Sequence, residues 1–227
     1  MGVNYLFGLF FSCILYGGFA NAAENKTYIV GYSENAPFHD LARDRLRLAY
    51  LRAGLNVQFV AASSIRSLHN ANRGNFDGDT ARIALVEKTY KNLRRVDVTL
   101  AELRGAAYTI RDDLKTYDAT VLKTSIIGRV RGVLWAEHLT AGHRSDLTNN
   151  HAQLFDMLQR KRFDVAFATE ISGDILIRQA DGRYANIVKL MPPAYTARTY
   201  HYLHKQNASI IPKLEAALRS LDADPIR

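Results

Sequence analysis

Short runs rich in β-branched residues alternate with longer stretches of helical periodicity, and the first two of those stretches close on a glycine. This alternation constrains the fold more than any other feature of the chain. Residues 27–32 carry Tyr28, Ile29 and Val30 and read as a strand. Ser33-Glu34-Asn35-Ala36-Pro37 is turn chemistry. Over residues 39–53, Leu41, Leu48, Leu51 and Leu55 share one helical face, and Ala42, Leu46, Ala49 and Ala53 form a flanking row. Gly54 supplies a left-handed stop. Residues 57–60 form the next strand. Ser63 or Ser64 caps a second helix carrying Ile65, Leu68 and Ala71, which ends at Gly74, and Asp77-Gly78 is a turn. Strand, helix, strand and helix at this spacing predict parallel βαβ units.

The pattern continues with strands predicted at 96–100, 106–110, 125–130, 163–167, 187–190 and 199–203. Asn149 or Asn150 caps a helix with Leu154, Phe155 and Leu158 on one face. A last helix over 208–221 aligns Ile210, Ile211, Leu214, Leu218 and Leu221, with Pro212 tolerated in its first turn. Two polar, turn-rich stretches, 111–124 and 181–197, bracket a central segment of about 70 residues, near the lower size of a domain. The expected organisation is one lobe from 23–110 plus 192–227, and a second, inserted lobe from 111–191.

Residues 1–22 hold no Asp, Glu, Lys or Arg and end Ala20-Asn21-Ala22, an A-x-A site. They read as a signal peptide cleaved after Ala22, and the expected location is the periplasm. The alternative is an uncleaved anchor, but an apolar core of about 12–15 residues is short of the ~20 that a span needs. Cys13 is the chain's one cysteine and lies inside this segment. A disulfide framework, a cysteine-built zinc site and a thiol nucleophile in the mature chain are therefore excluded. Hydrophobic residues make up 48% and charged residues 23%, a globular composition. The net charge of +8 comes from scattered basic residues with acids between them. That excludes a nucleic-acid strip and leaves a solvated surface that favours anionic partners.

Motifs for nucleotide phosphates, metalloprotease zinc and serine hydrolysis are missing. His138 and His143, and His201 and His204, lack supporting acids and read as surface histidines rather than metal ligands. No cofactor is implied. What remains is binding, because open α/β sheets hold ligands beyond the carboxyl ends of their strands. Those ends carry Tyr32 and Glu34, Arg131, and Glu170, and the helix starting at Asn150 offers N–H groups to an anion. Each has a plainer reading: Glu34 as a cap, Arg131 as solvated, Glu170 as a helix N-terminal acid. Trp135 reads as core beside Val133 and Leu134.

Six stretches in chain order resemble the bacterial extracellular solute-binding proteins of family 3, the amino-acid-type periplasmic binding proteins, in a short divergent branch. They are Val30-Gly31 with Pro37-Phe38, Ala49-Tyr50 through Gly54-Leu55, Arg66 through Arg82 with its Asp77-Gly78, Gly128 through Gly132, Leu158 through Asp164, and Tyr202 through Lys205 with Leu214 through Leu218. The resemblance implies a two-lobed α/β fold with hinge strands, closing on a small polar ligand, and a monomeric, non-enzymatic protein serving an inner-membrane permease or a receptor. It implies that Arg82 and Arg131 meet ligand acids, and that Glu34 or Glu170 meets an amine. Tyr32, Phe38, Tyr108 and Tyr195 are the expected walls. The family's carboxylate-binding Thr-x-x-Arg element has no clear counterpart, with Arg82, Arg94 and Arg111 as candidates. The rival classes are a periplasmic dehydratase or lyase on the same scaffold, and a ligand-sensing partner of a membrane receptor.

Overall fold

The computed structural model describes residues 26–34 and 36–223. The signal-peptide reading of residues 1–22 lies outside the described residues. Within them, no helix is long and apolar enough to cross a membrane. The elements in chain order are β1 (Thr27–Ser33), α1 (Pro37–Arg52), β2 (Asn56–Ala62), α2 (Ser64–Arg73), β3 (Gly78–Ile83), β4 (Leu93–Arg95), β5 (Ala101–Thr109), α3 (Val121–Thr124), β6 (Ile127–Val130), α4 (Leu134–Leu139), β7 (Ser145–Thr148), α5 (His151–Gln159), β8 (Val165–Thr169), α6 (Glu170–Gln179), β9 (Val188–His204) and α7 (Ile211–Ala223).

The sheet order is β2-β1-β3-β9-β5-β8-β6-β7, with β4 also on β9. β1 runs parallel to β2 and β3, and β6 parallel to β7 and β8. These are the two βαβ halves that the sequence predicts. Between them lie β5 and β9, antiparallel to each other and to their outer neighbours. β9 is long enough to serve both halves. Val188–Leu190 pairs with Ala107–Thr109 on β5, and Tyr195–Thr199 pairs with Ala101–Gly105, with the register shifting between Gly105 and Ala107. Farther along, β9 pairs with β3. The result is a two-lobed α/β fold whose lobes share two central strands.

Several expectations give way to the structure. The predicted strands at 187–190 and 199–203 are one continuous strand, and the presumed loop through Met191-Pro192-Pro193 lies within it. Prolines lack a donor, but at a register break no ladder bond is required of them. Residues 96–100 are not a strand. Val96 and Leu100 each donate one backbone bond to β9, while the ladder itself is made by β4. β3 carries Asp79, Thr80 and Arg82, is not among the predicted strands, and is nevertheless buried along its whole length.

On α1 the two apolar rows exchange roles. Ala42, Leu46 and Ala49, with Phe38 and Tyr50, pack into the core. Leu41 and Leu51, at 56% and 74% exposure, face outward, and Leu48 is exposed beside them. The small side chains at 42 and 49 let the helix approach its neighbours closely, and Leu46 and Tyr50 fill the remaining space. The histidine expectation also fails at β9, where His201 and His204 are both buried.

Candidate functional site

Two contiguous cavities lie between the lobes, where the carboxyl ends of β1 and β6 and the first turns of α2 and α5 meet. They share Ser33, Ser64, Val133 and His151. The outer one has a volume of about 330 Å³ and takes Glu34 and Ser63 from the first lobe, and Arg131, Asn149 and Asn150 from the second. The inner one, about 60 Å³, extends inward past Phe38, His39, Arg82, Leu103, Trp135 and Thr169. A cleft at strand ends, with apolar walls and a few convergent polar groups, is the usual form of a small-molecule site.

Arg82 reaches the inner cavity through a network that also fixes its charge. Its Nε donates to Asp79 Oδ1 at 2.7 Å and its Nη2 to Asp79 Oδ2 at 3.0 Å. Ser67 Oγ donates to the same carboxylate at 2.7 Å. Asp79 and Arg82 are three residues apart, a spacing that points to opposite faces in a regular strand. The register against β9 shifts between them, and this irregularity brings both to one side. Arg82 Nη1 then donates to Ser64 Oγ at 2.8 Å, and Ser64 Oγ donates to the Gly132 carbonyl at 3.0 Å. The buried ion pair of one lobe is thus tied by a single hydroxyl to the backbone of the other.

Gly132 lies close against α2 of the first lobe. Its φ is +79°, and a Cβ there would lie 2.4 Å from Ile65 Cγ1 on α2. Gly132→Ala is expected to cost about 1–2 kcal/mol through the left-handed backbone, and also to push the lobes apart. Gly142 has the same φ of +79° with nothing within 4 Å of a Cβ. Gly142→Ala therefore carries the strain without the clash. Small-angle scattering should show a larger radius of gyration for Gly132→Ala only; equal radii would remove Gly132 from the interlobe contact.

The other predicted site residues divide. Phe38 lines the inner cavity, and Glu34, Arg131 and Asn150 line the outer one. Asn150 caps α5, its Oδ1 accepting the Gln153 N–H at 2.8 Å, while Gln153 Oε1 accepts the Asn149 N–H at 2.7 Å. Glu34 and Arg131 are exposed, and their charged groups pair with nothing among the described residues. Tyr32, Tyr108, Glu170 and Tyr195 line neither cavity. The ring of Tyr32 lies under Arg43, with the guanidinium carbon 5.0 Å from its centroid. Tyr108, on the shared strand β5, is fully buried against Phe155 of α5, and its hydroxyl donates to Asp174 Oδ1 at 2.8 Å; burial and that carboxylate raise its pKa. Glu170 binds Arg104 of β5 at 2.9 Å and Lys189 of β9 at 2.8 Å, so its charge is neutralised by the two central strands.

Tyr195 acts through Trp135. The indole stacks between Phe167 and Tyr195, with centroids 5.6 and 5.8 Å away. It rests on Gly105, where a Cβ would come within 2.7 Å of the ring. Trp135 is buried as predicted, yet it also lines the inner cavity, and its Nε1 has no hydrogen-bond partner among the described residues. Sequence reasoning passed over His39, Ser64 and His151 as site residues. For Ser64 and His151 the available signal was position: each is the first residue of a helix that follows a strand. No cluster of three or more potential metal ligands occurs among the described residues.

No protein-family model matches this sequence, and no curated protein matches it. The fold has clear likenesses among solved structures. A histidine kinase sensor domain with similarity to periplasmic binding proteins superposes with a TM-score of 0.77 at 17% identity, over 88% of this chain and 91% of that one. An ancestral arginine-binding protein bound to glutamine gives 0.73 at 17% identity, over 87% and 92%. The second VFT domain of Bordetella pertussis BvgS gives 0.66 at 16% identity, over 86% and 88%. The class defined by the fold is thus the two-lobed periplasmic-binding-protein-like domain, with an interlobe cleft. These neighbours are binding and sensor domains.

Proposed function

We propose that this is a periplasmic solute-binding protein of the family 3 type that captures an amino-acid-sized zwitterion between its lobes and hands it to an inner-membrane permease. Its first lobe is 23–110 plus 192–227, its second is 111–191, and Met1–Ala22 is the cleaved export signal. The observation that carries this reading is the pair Glu34 and Arg131. They are opposite charges from opposite lobes, facing one cavity of about 330 Å³ and lacking ion partners among the described residues. A ligand with both an ammonium and a carboxylate bridges them, and that bridge favours the closed state by its difference in affinity for the two states. The likeness to binding and sensor domains supports binding and release without conversion.

A thermal-shift and calorimetric screen against the twenty amino acids tests the proposal; no stabilisation by any of them would sink it. For whichever amino acid binds, Arg131→Ala is expected to weaken affinity roughly 10–100-fold, the value of charge-assisted hydrogen bonds of about 1.5–3 kcal/mol. Glu34→Gln should act in the same direction. An unchanged dissociation constant in both variants would remove them from the site.

The likeness to a kinase sensor domain favours a second reading, in which the protein reports its ligand to a membrane receptor. Deletion of the gene separates the two. Loss of ligand uptake supports transport, and unaltered uptake with altered signalling supports sensing.

A further inference from the structure

The inner cavity has a chemistry of its own. Apolar side chains, Phe38 and Leu103 among them, form its walls, and titratable or donor groups from both lobes stand around it. His39 comes from α1 in the first lobe and His151 from α5 in the second; Arg82 and Trp135 complete the set. His39 Nδ1 is buried without a hydrogen-bond partner among the described residues, and so is Trp135 Nε1. Trp135 is itself only 2% exposed. A cavity lined mostly by hydrocarbon, with unpartnered polar nitrogens among its lining, suits a methylene stem that ends in an anion.

The charges facing the two imidazoles have the sign this requires. Burial, and then the positive fields of Arg82 and His151, hold His39 well below its ordinary value, so it is neutral in the empty cleft. Two of the nearby acids are already committed, and the third, Glu34, which lines the outer cavity with His151, is the one that the amino-acid reading gives to the α-ammonium. Asp79 is bound to Arg82 at 2.7 Å, and Asp40, which shares a further cavity with His151, is bound to Arg43 at 2.9 Å. A carboxylate entering the inner cavity is therefore the group that reverses the local balance and draws a proton onto His39.

We infer that the inner cavity receives the side-chain carboxylate of an acidic amino acid, and that His39 takes up a proton as it binds, so that ligand capture and lobe closure tighten as the pH falls. The proton moves from solvent to an imidazole nitrogen, and no covalent bond changes. This rests on the amino-acid reading above, with Glu34 and Arg131 holding the α-ammonium and α-carboxylate.

The test is calorimetric titration of the protein, as exported and processed by the cell, with L-glutamate and with its neutral isostere L-glutamine. Titrations at pH 7.5 and 5.5, in buffers of low and high ionisation enthalpy, count the protons taken up. Glutamate should bind with net proton uptake and at least about fivefold more tightly at pH 5.5, because each proton bound allows up to tenfold per pH unit. Glutamine should bind at least about tenfold more weakly and without uptake. His39→Gln should reduce the proton count; the wild-type measurement stands even if the variant fails to fold. Equal binding of the two ligands without uptake, or binding of neutral or basic amino acids alone, would overturn the inference and leave the amino-acid reading intact. No binding of any amino acid would overturn both.

Discussion

Exchanging Asp79 for asparagine is expected to lower the free energy of unfolding by about 3–5 kcal/mol, the largest loss of any single conservative change in the cleft. Asp79 has no exposed surface, and Arg82 is nearly as buried. The carboxylate takes two hydrogen bonds from that guanidinium and one from Ser67. Asparagine retains the shape but leaves Arg82 as a buried cation with no counter-charge. Replacing both residues together, with Asp79→Leu and Arg82→Met, should cost far less, because it removes the ions rather than stranding one of them. Urea unfolding of the two variants makes the comparison. A loss below about 1 kcal/mol for Asp79→Asn would mean that water entering from the cleft already solvates Arg82. The same variant bears on binding. Arg82 holds Ser64, and Ser64 bonds to the Gly132 carbonyl of the other lobe. Releasing Arg82 therefore loosens the interlobe contact as well as the core.

The limit of what the sequence reveals falls at this same network. Periodicity and glycine stops located α1, β1, β2, α2 and α5, because those elements carry their own signals. Asn150 was legible as a cap, and its side chain does accept the Gln153 N–H. β3 was not legible. Its residues, Gly78-Asp79-Thr80-Ala81-Arg82-Ile83, look like a polar turn, and only long-range partners make it a strand: β1 on one side and β9 on the other. The pairing of Asp79 with Arg82 across a register shift has no periodic signature. β9 looked like two strands around a proline loop for a related reason, since its continuity comes from the two strands it serves in turn rather than from its own composition. Glu34, Arg131 and Asn150, read from strand ends and a helix start, and Phe38 and Arg82, read from the family resemblance, all line the cleft cavities. Tyr32, Tyr108, Glu170 and Tyr195 were equally close to such ends in sequence, but their partners hold them elsewhere. His39 needed the lobes to be assembled before it could be seen at all.

The ligand-free protein should lose about 3 kcal/mol of stability between pH 6.5 and pH 4 through His201 alone. His201 lies on β9 with no exposed surface. Its Nδ1 is 2.8 Å from the Asp79 carbonyl oxygen, which can only accept, so Nδ1 carries the proton. Nε2 is left to accept from the Tyr50 hydroxyl at 3.0 Å. Burial is the dominant influence and outweighs the opposing pull of the Asp79 carbonyl and charge, so the imidazole is pushed down to about 4 from 6.5. Above pH 6.5 the ring is neutral whether the chain is folded or not, and it contributes no slope. Between 6.5 and 4 the unfolded chain binds a proton that the folded chain refuses, so stability falls as the pH falls; below 4 both states are charged and the contribution levels off. His39 adds a slope of the same sign, because it too is held neutral when folded. A His201→Gln variant separates them: it keeps the His39 part, and the difference in unfolding free energy between wild type and variant should narrow by about 3 kcal/mol from pH 7 to pH 4. A constant difference would mean that His201 titrates alike in both states. An acidic ligand should oppose only the His39 share of the slope, since His201 lies in the core beside Tyr50 and lines neither cavity.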